Sequence, residues 1–210
     1  QDLSKWNTSS VTTMFGMFQY TNFNQAMPDW DLSRVVDTSY MFASAKYNQD
    51  LSKWNTSSVT SMKGMFNHAA FNSNIAAWNT SSVTTMENMF SHAAFNSNIS
   101  AWDVSKVTTL SGTFYNAQAF NSDLSTWEVS KVTTLSNAFY NAQAFNSDLS
   151  TWDVSKVTTL RATFYEAYAF TSDLSAWDTS KVTSFKEMFR NAHARSEERR
   201  VGKECRSRWS

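Results

Sequence analysis

Proline is almost missing from this chain, with Pro28 alone in 210 residues, and cysteine is as scarce, with Cys205 alone. One cysteine excludes a disulfide framework and a cysteine-built zinc site within the chain. No run of 18 apolar residues occurs, so no segment reads as a membrane-spanning helix. Glycine is limited to four residues, and Gly16, Gly64 and Gly112 stand singly, which excludes a glycine-rich phosphate loop. Charge of one sign is lacking too: 18 Lys and Arg balance 18 Asp and Glu. A nucleic-acid footprint and a polybasic membrane patch are therefore not expected.

What the chain has instead is aromatic residues in strict order. Tryptophans stand at Trp6, Trp30, Trp54, Trp78, Trp102, Trp127, Trp152 and Trp177, spaced by 24 residues in the first half and by 25 in the second. Phenylalanines keep step at Phe18, Phe42, Phe66, Phe90, Phe114, Phe139, Phe164 and Phe189. Self-similarity at such a period indicates stacked structural units. The added residue lies between Phe114 and Phe120, where the earlier gap from Phe66 to Phe71 is one shorter, and marks a surface loop.

Residues 1–194 are read as one repeat domain truncated at both ends, since Gln1, Asp2 and Leu3 match Gln49, Asp50 and Leu51 in phase. Residues 195–210 break every column, beginning with Arg195 where an aromatic is due. That tail resembles the in-frame translation of a common sequencing adapter and is expected to be non-native. It holds six Lys and Arg, three Asp and Glu and Cys205, so without it the chain carries 12 basic against 15 acidic residues, a net of −3.

Within the unit at residues 121–145, Leu124, Trp127 and Val129 suggest a short strand. Val132, Leu135, Ala138 and Phe139 recur at helical spacing. A serine precedes that pattern in every unit, at Ser9, Ser33, Ser57, Ser81, Ser105, Ser130, Ser155 and Ser180, and reads as a helix N-cap. The expected fold is α/β: a right-handed, leucine-rich-repeat-like solenoid of about eight strand-plus-short-helix repeats, with an all-β solenoid as the alternative. At ~4.8 Å per parallel strand it would extend on the order of 40 Å.

The unit carrying Asn146, Asp148, Leu149, Trp152, Asp153, Val154, Ser155, Val157, Thr158, Leu160 and Phe164 resembles the short tandem repeat of bacterial surface proteins and lipoproteins, a family similar to the BspA-like leucine-rich repeats. The resemblance covers residues 1–194. It implies a solenoid exported to the cell surface or secreted, used in adhesion or recognition of an extracellular protein or glycan, with any membrane attachment through an anchor outside this segment. Departures are Thr8, Thr56, Thr80 and Thr179 in the valine slot, and Pro28, Val36, Asp37 and Thr38 in the second unit, where irregular register is expected.

Several polar columns are candidates for function. Asn24, Asn48, Asn72, Asn96, Asn121 and Asn146 suit a buried structural ladder, their amides bonding neighbouring backbone. Asp103, Glu128, Asp153 and Asp178, with Asp123, Asp148 and Asp173, suggest calcium less readily than solvated charge, because Lys106, Lys131, Lys156 and Lys181 accompany the first set. His68 and His92 are equivalent positions without a third ligand in phase. Thr84 with Thr85, Thr108 with Thr109, Thr133 with Thr134 and Thr158 with Thr159 form a hydroxyl array that suits an ice-binding surface only if the segment is strand instead of helix. Asn7, Asn55 and Asn79 begin glycosylation sequons, though turn formation accounts for them more simply. No catalytic, cofactor or metal site is expected. The function expected is a non-catalytic binding scaffold; a structural spacer or stalk is the alternative.

Overall fold

The computed structural model describes residues 2–194. The chain winds as eight coils, here numbered by the phase of the asparagine column: coil 1 at 2–23, coil 2 at 24–47, coil 3 at 48–71, coil 4 at 72–95, coil 5 at 96–120, coil 6 at 121–145, coil 7 at 146–170 and coil 8 at 171–194. One isolated parallel bridge joins each coil to the next, through Thr13, Asp37, Ser61, Thr85, Thr109, Thr134, Thr159 and Ser184 in sequence.

The strand-plus-helix expectation is overturned. Among the described residues there is no multi-residue strand and no helix before Ala194; the rest is tight turns, bends and irregular backbone. Neither the leucine-rich-repeat-like α/β solenoid nor the all-β alternative describes such a chain, and the resemblance to BspA-like leucine-rich-repeat proteins fails with them. The reason is visible in coil 6. The N–H groups of Leu135, Asn137, Phe139 and Asn141 donate to Thr159, Arg161, Thr163 and Tyr165 of coil 7, while those of Ala138, Tyr140 and Ala142 donate three residues back to Leu135, Asn137 and Phe139. Alternate N–H groups thus leave the segment, and no i to i−4 ladder can form.

That alternation requires left-handed backbone at two positions per coil. The first column runs Gly16, Tyr40, Gly64, Asn88, Gly112, Asn137, Ala162 and Glu187, and the second Tyr20, Ser44, His68, His92, Asn116, Asn141, Glu166 and Asn191, with φ between 50° and 61° throughout. Glycine and asparagine tolerate this region best. The glycines in the first column therefore mark left-handed turns in what had the spacing of a helix.

The serine N-cap is corrected for the same reason. In every coil the serine N–H donates to the side chain two residues earlier: to Asn7, Asp31, Asn55, Asn79, Asp103, Glu128, Asp153 and Asp178. These are carboxylate- and amide-closed turns of the Asx kind, with the acidic or amide side chain as the ordering group.

The core is a set of axial columns. Trp30, Trp54, Trp78, Trp102, Trp127, Trp152 and Trp177 are buried. Successive rings from Trp54 to Trp102 lie 6.3–6.4 Å apart within 5° of parallel, slid past one another instead of stacked face to face. Phe42, Phe66, Phe90, Phe114, Phe139 and Phe164 are fully enclosed. Each stacks within its own coil on a second ring, as Phe139 does on Phe145 at 4.1 Å. At the ends the columns differ: Trp6 is 48% exposed, Phe18 is buried, and Phe189 is only partly buried against the core edge. The added residue of the longer coils sits in a turn at Gln118 and Ala119, both exposed.

Candidate interaction surface

The asparagine column forms an axial chain on the surface. The side-chain oxygen of Asn24 accepts the Asn48 N–H, and the pattern continues through Asn72, Asn96, Asn121 and Asn146 to the Thr171 N–H, at 2.7–2.9 Å. Its members are exposed, unlike the buried ladder expected from the sequence. The amides therefore reach across from the rim of one coil to the backbone of the next.

Threonines make a second axial chain. The hydroxyls of Thr60, Thr84, Thr108, Thr133, Thr158 and Thr183 each donate to the carbonyl of the equivalent residue one coil earlier. Thr85, Thr109, Thr134 and Thr159 instead accept the N–H two residues on, closing a turn. The paired threonines thus have separate duties, and the outer one is committed to the coil boundary.

Both acidic columns are turn acceptors. Asp123, Asp148 and Asp173 take the N–H groups of Ser125, Ser150 and Ser175, in the manner already described for Asp103, Glu128, Asp153 and Asp178. The bond from the serine backbone N–H leads in holding the Asp123, Asp148 and Asp178 carboxyls below the usual range, and the serine hydroxyl leads at Asp103 and Asp153. Lys106 and Lys131 add a weaker pull on Asp103, and Lys156 and Lys181 on Asp153. The lysines act at a distance: the ion pairs within 4.0 Å among the described residues are Lys63 with Glu87 and Arg190 with Glu187. Asp148 and Asp173 line one open depression together with Asn146 and Ser172. Among the described residues, no group of three or more His, Cys, Asp or Glu side chains is placed to hold a metal.

A ridge of rings runs along another face. His68 and His92 stack with centroids 4.0 Å apart and planes within 11°. His92 meets Tyr115 at 5.1 Å, Tyr115 stacks on Tyr140 at 4.5 Å, Tyr140 on Tyr165 at 4.4 Å, and the Arg190 guanidinium lies over Tyr165 at 5.7 Å. The three tyrosines are half-buried. Burial, followed by the Tyr115 and Tyr165 hydroxyls beside it, pushes the Tyr140 phenol up to about 12. Burial, followed by the neighbouring His68, holds the His92 imidazole below its ordinary value. The tyrosine column escaped the sequence reading, although Tyr115, Tyr140 and Tyr165 keep the 25-residue step. His193, the third histidine, stacks on Tyr168 at 5.4 Å.

Asn7, Asn55 and Asn79 are exposed, and their side-chain oxygens close the turns to Ser9, Ser57 and Ser81. The expectations about the tail, including Arg195 and Cys205, lie outside the described residues.

No curated protein and no solved structure matches the chain. A family model does, over residues 1–101 and again over 92–200, so that two successive copies span nearly all of the sequence. By that match the chain belongs to the family described as "Mycoplasma protein of unknown function, DUF285".

Proposed function

We propose that this chain is a non-catalytic structural spacer, a stack whose purpose is its own length and stiffness, in a protein exposed at the cell surface or secreted. One observation carries the reading: the asparagine and threonine columns and six of the seven buried indole N–H groups bond along the stack axis, from coil to coil. Polar side chains committed in this way stiffen a stack. They are correspondingly less available to a ligand. Equivalent carboxylates also sit in near-equivalent turns, which disfavours an acid and a base of different strength.

A binding scaffold for an extracellular protein or glycan is the second reading, favoured by the half-buried tyrosine ridge, since aromatic side chains are enriched where proteins recognise partners. Small-angle scattering combined with a glycan and matrix-protein array separates the two. The spacer predicts an elongated particle that leaves the array blank. Specific retention, lost on Tyr140→Ala, would overturn it in favour of binding, and substrate turnover by the purified chain would overturn both.

A further inference from the structure

We propose that His68 and His92 form a two-imidazole site for a divalent transition ion, Cu²⁺ foremost. Of three histidines in the chain, two occupy the same position of coils 3 and 4. Both are exposed, and their centroids are only 4.0 Å apart. Their backbones are held by the coil-to-coil bonds from the His68 N–H to the Ser91 carbonyl at 2.7 Å and from the His92 N–H to the Tyr115 carbonyl at 2.6 Å. The imidazoles therefore leave a fixed frame side by side.

The surroundings suit a cation. Ser91 Oγ lies 3.1 Å from His92 Nδ1, which leaves Nε2 as the ligating nitrogen. A partner on the second ring nitrogen orients an imidazole ligand in metal sites generally. The Asn67 side-chain oxygen is buried, has no hydrogen-bond partner, and lines the same depression as both histidines. It is an amide acceptor beside the ion's position. No lysine or arginine lines that depression.

Geometry sets what must move. Metal–nitrogen bonds of about 2.0–2.1 Å place two ligating nitrogens roughly 3 Å apart. Rings stacked at 4.0 Å must turn so that their lone pairs converge, a rotation about side-chain bonds of the kind that exposed side chains make within nanoseconds. Imidazole suits Cu²⁺, Ni²⁺ and Zn²⁺, and the general order of affinity puts Cu²⁺ first. Water would complete the coordination.

The same column shows how to test the site without unfolding the chain. Asn116, Asn141 and Asn191 hold the equivalent left-handed position in other coils. His68→Asn and His92→Asn therefore keep the backbone preference. Cu²⁺, Ni²⁺ and Zn²⁺ are titrated separately into the full chain in a Cys205→Ser background, which removes the only thiol as a competing ligand. Calorimetry gives affinity, and electron paramagnetic resonance counts nitrogens on Cu²⁺. The expected result is one saturable Cu²⁺ per chain with two histidine nitrogens. Each single variant should lose roughly tenfold or more, at least the loss that outer-shell partners bring. The double variant should lose the site, and His193→Asn should leave it intact. Equal Cu²⁺ binding by the double variant and its parent, or no saturable binding by the parent, overturns the proposal.

Discussion

Coil 2 and coil 7 carry the same columns, yet only coil 7 has the side-chain acceptor and the N–H donor that brace the turn before its tryptophan. In coil 7 Asp148 accepts the Ser150 N–H, and the Trp152 N–H donates back to Leu149. Coil 2 has Ala26 and Pro28 at those two places, so acceptor and donor are lost together; residues 28–29 still turn, but without the short tryptophan N–H bond that Trp152 makes to Leu149. The effect reaches the neighbouring coil. Trp78, Trp102, Trp127, Trp152 and Trp177 each donate their indole N–H to a carbonyl in the leucine column one coil earlier, as Trp30 does to Leu3. Trp54, whose counterpart acceptor would be Met27, is buried with its indole N–H unpaired. Tyr47 adds a buried hydroxyl without a partner in a column otherwise filled by phenylalanine, and burial followed by the Asp50 charge pushes its ionisation far above the ordinary range. Irregularity therefore sits at Pro28. At Val36 and Asp37 the bridge from Thr13 to Ser61 is unbroken, and Asp37 accepts the Ser39 N–H as threonine does elsewhere.

The contrast can be broken most severely from the regular side. Phe139→Ala, which empties the centre of coil 6, should cost about 3–5 kcal/mol in denaturant unfolding. Ser150→Pro, which copies the coil 2 defect into coil 7, removes a bonded N–H and should cost more than about 1 kcal/mol. Trp152→Phe should cost about 1 kcal/mol more than Trp54→Phe, because only the first discards an indole hydrogen bond. An equal cost for both would sink the idea that coil 2 leaves its tryptophan neighbour unsatisfied. Tyr47→Phe should stabilise by about 1 kcal/mol, since it deletes an unpaired buried hydroxyl and keeps the ring.

The smallest effect is electrostatic. The carboxyls of Asp103, Asp153 and Asp178 ionise below their ordinary value in the folded chain, so the unfolded chain binds protons first as pH falls. Their contribution is complete above about pH 4 and is lost as the solution is acidified through the folded values. Coils 1, 3 and 4 already use Asn7, Asn55 and Asn79 in this turn. Replacing all three aspartates by asparagine should keep the fold and flatten the acid dependence of the melting temperature.

Much of the candidate surface was legible because it repeats. The phase of the Trp and Phe columns, the asparagine column and the site of the extra residue all follow from counting. The path of the backbone did not, and Val132, Leu135 and Phe139 show why. A spacing of three or four residues suits a helix, but it suits equally a row of three-residue turns whose apolar side chains face one core. Glycine and asparagine at a constant phase were the available sign of left-handed turns, as at Gly64, Asn88, Gly112 and Asn137. At Gly64 an added Cβ would also run into the Tyr40 ring of the preceding coil.

By itself the sequence determined which residues recur, and hence which side chains line the core and where two histidines and three tyrosines come into register. Tertiary structure alone decided where the backbone hydrogen bonds go. An N–H in coil 6 chooses between a carbonyl a few residues back and one about 24 residues ahead, and the second exists only once coil 7 has been laid against it. Local periodicity is the same for both choices, so the absence of a helix is a property of the stack.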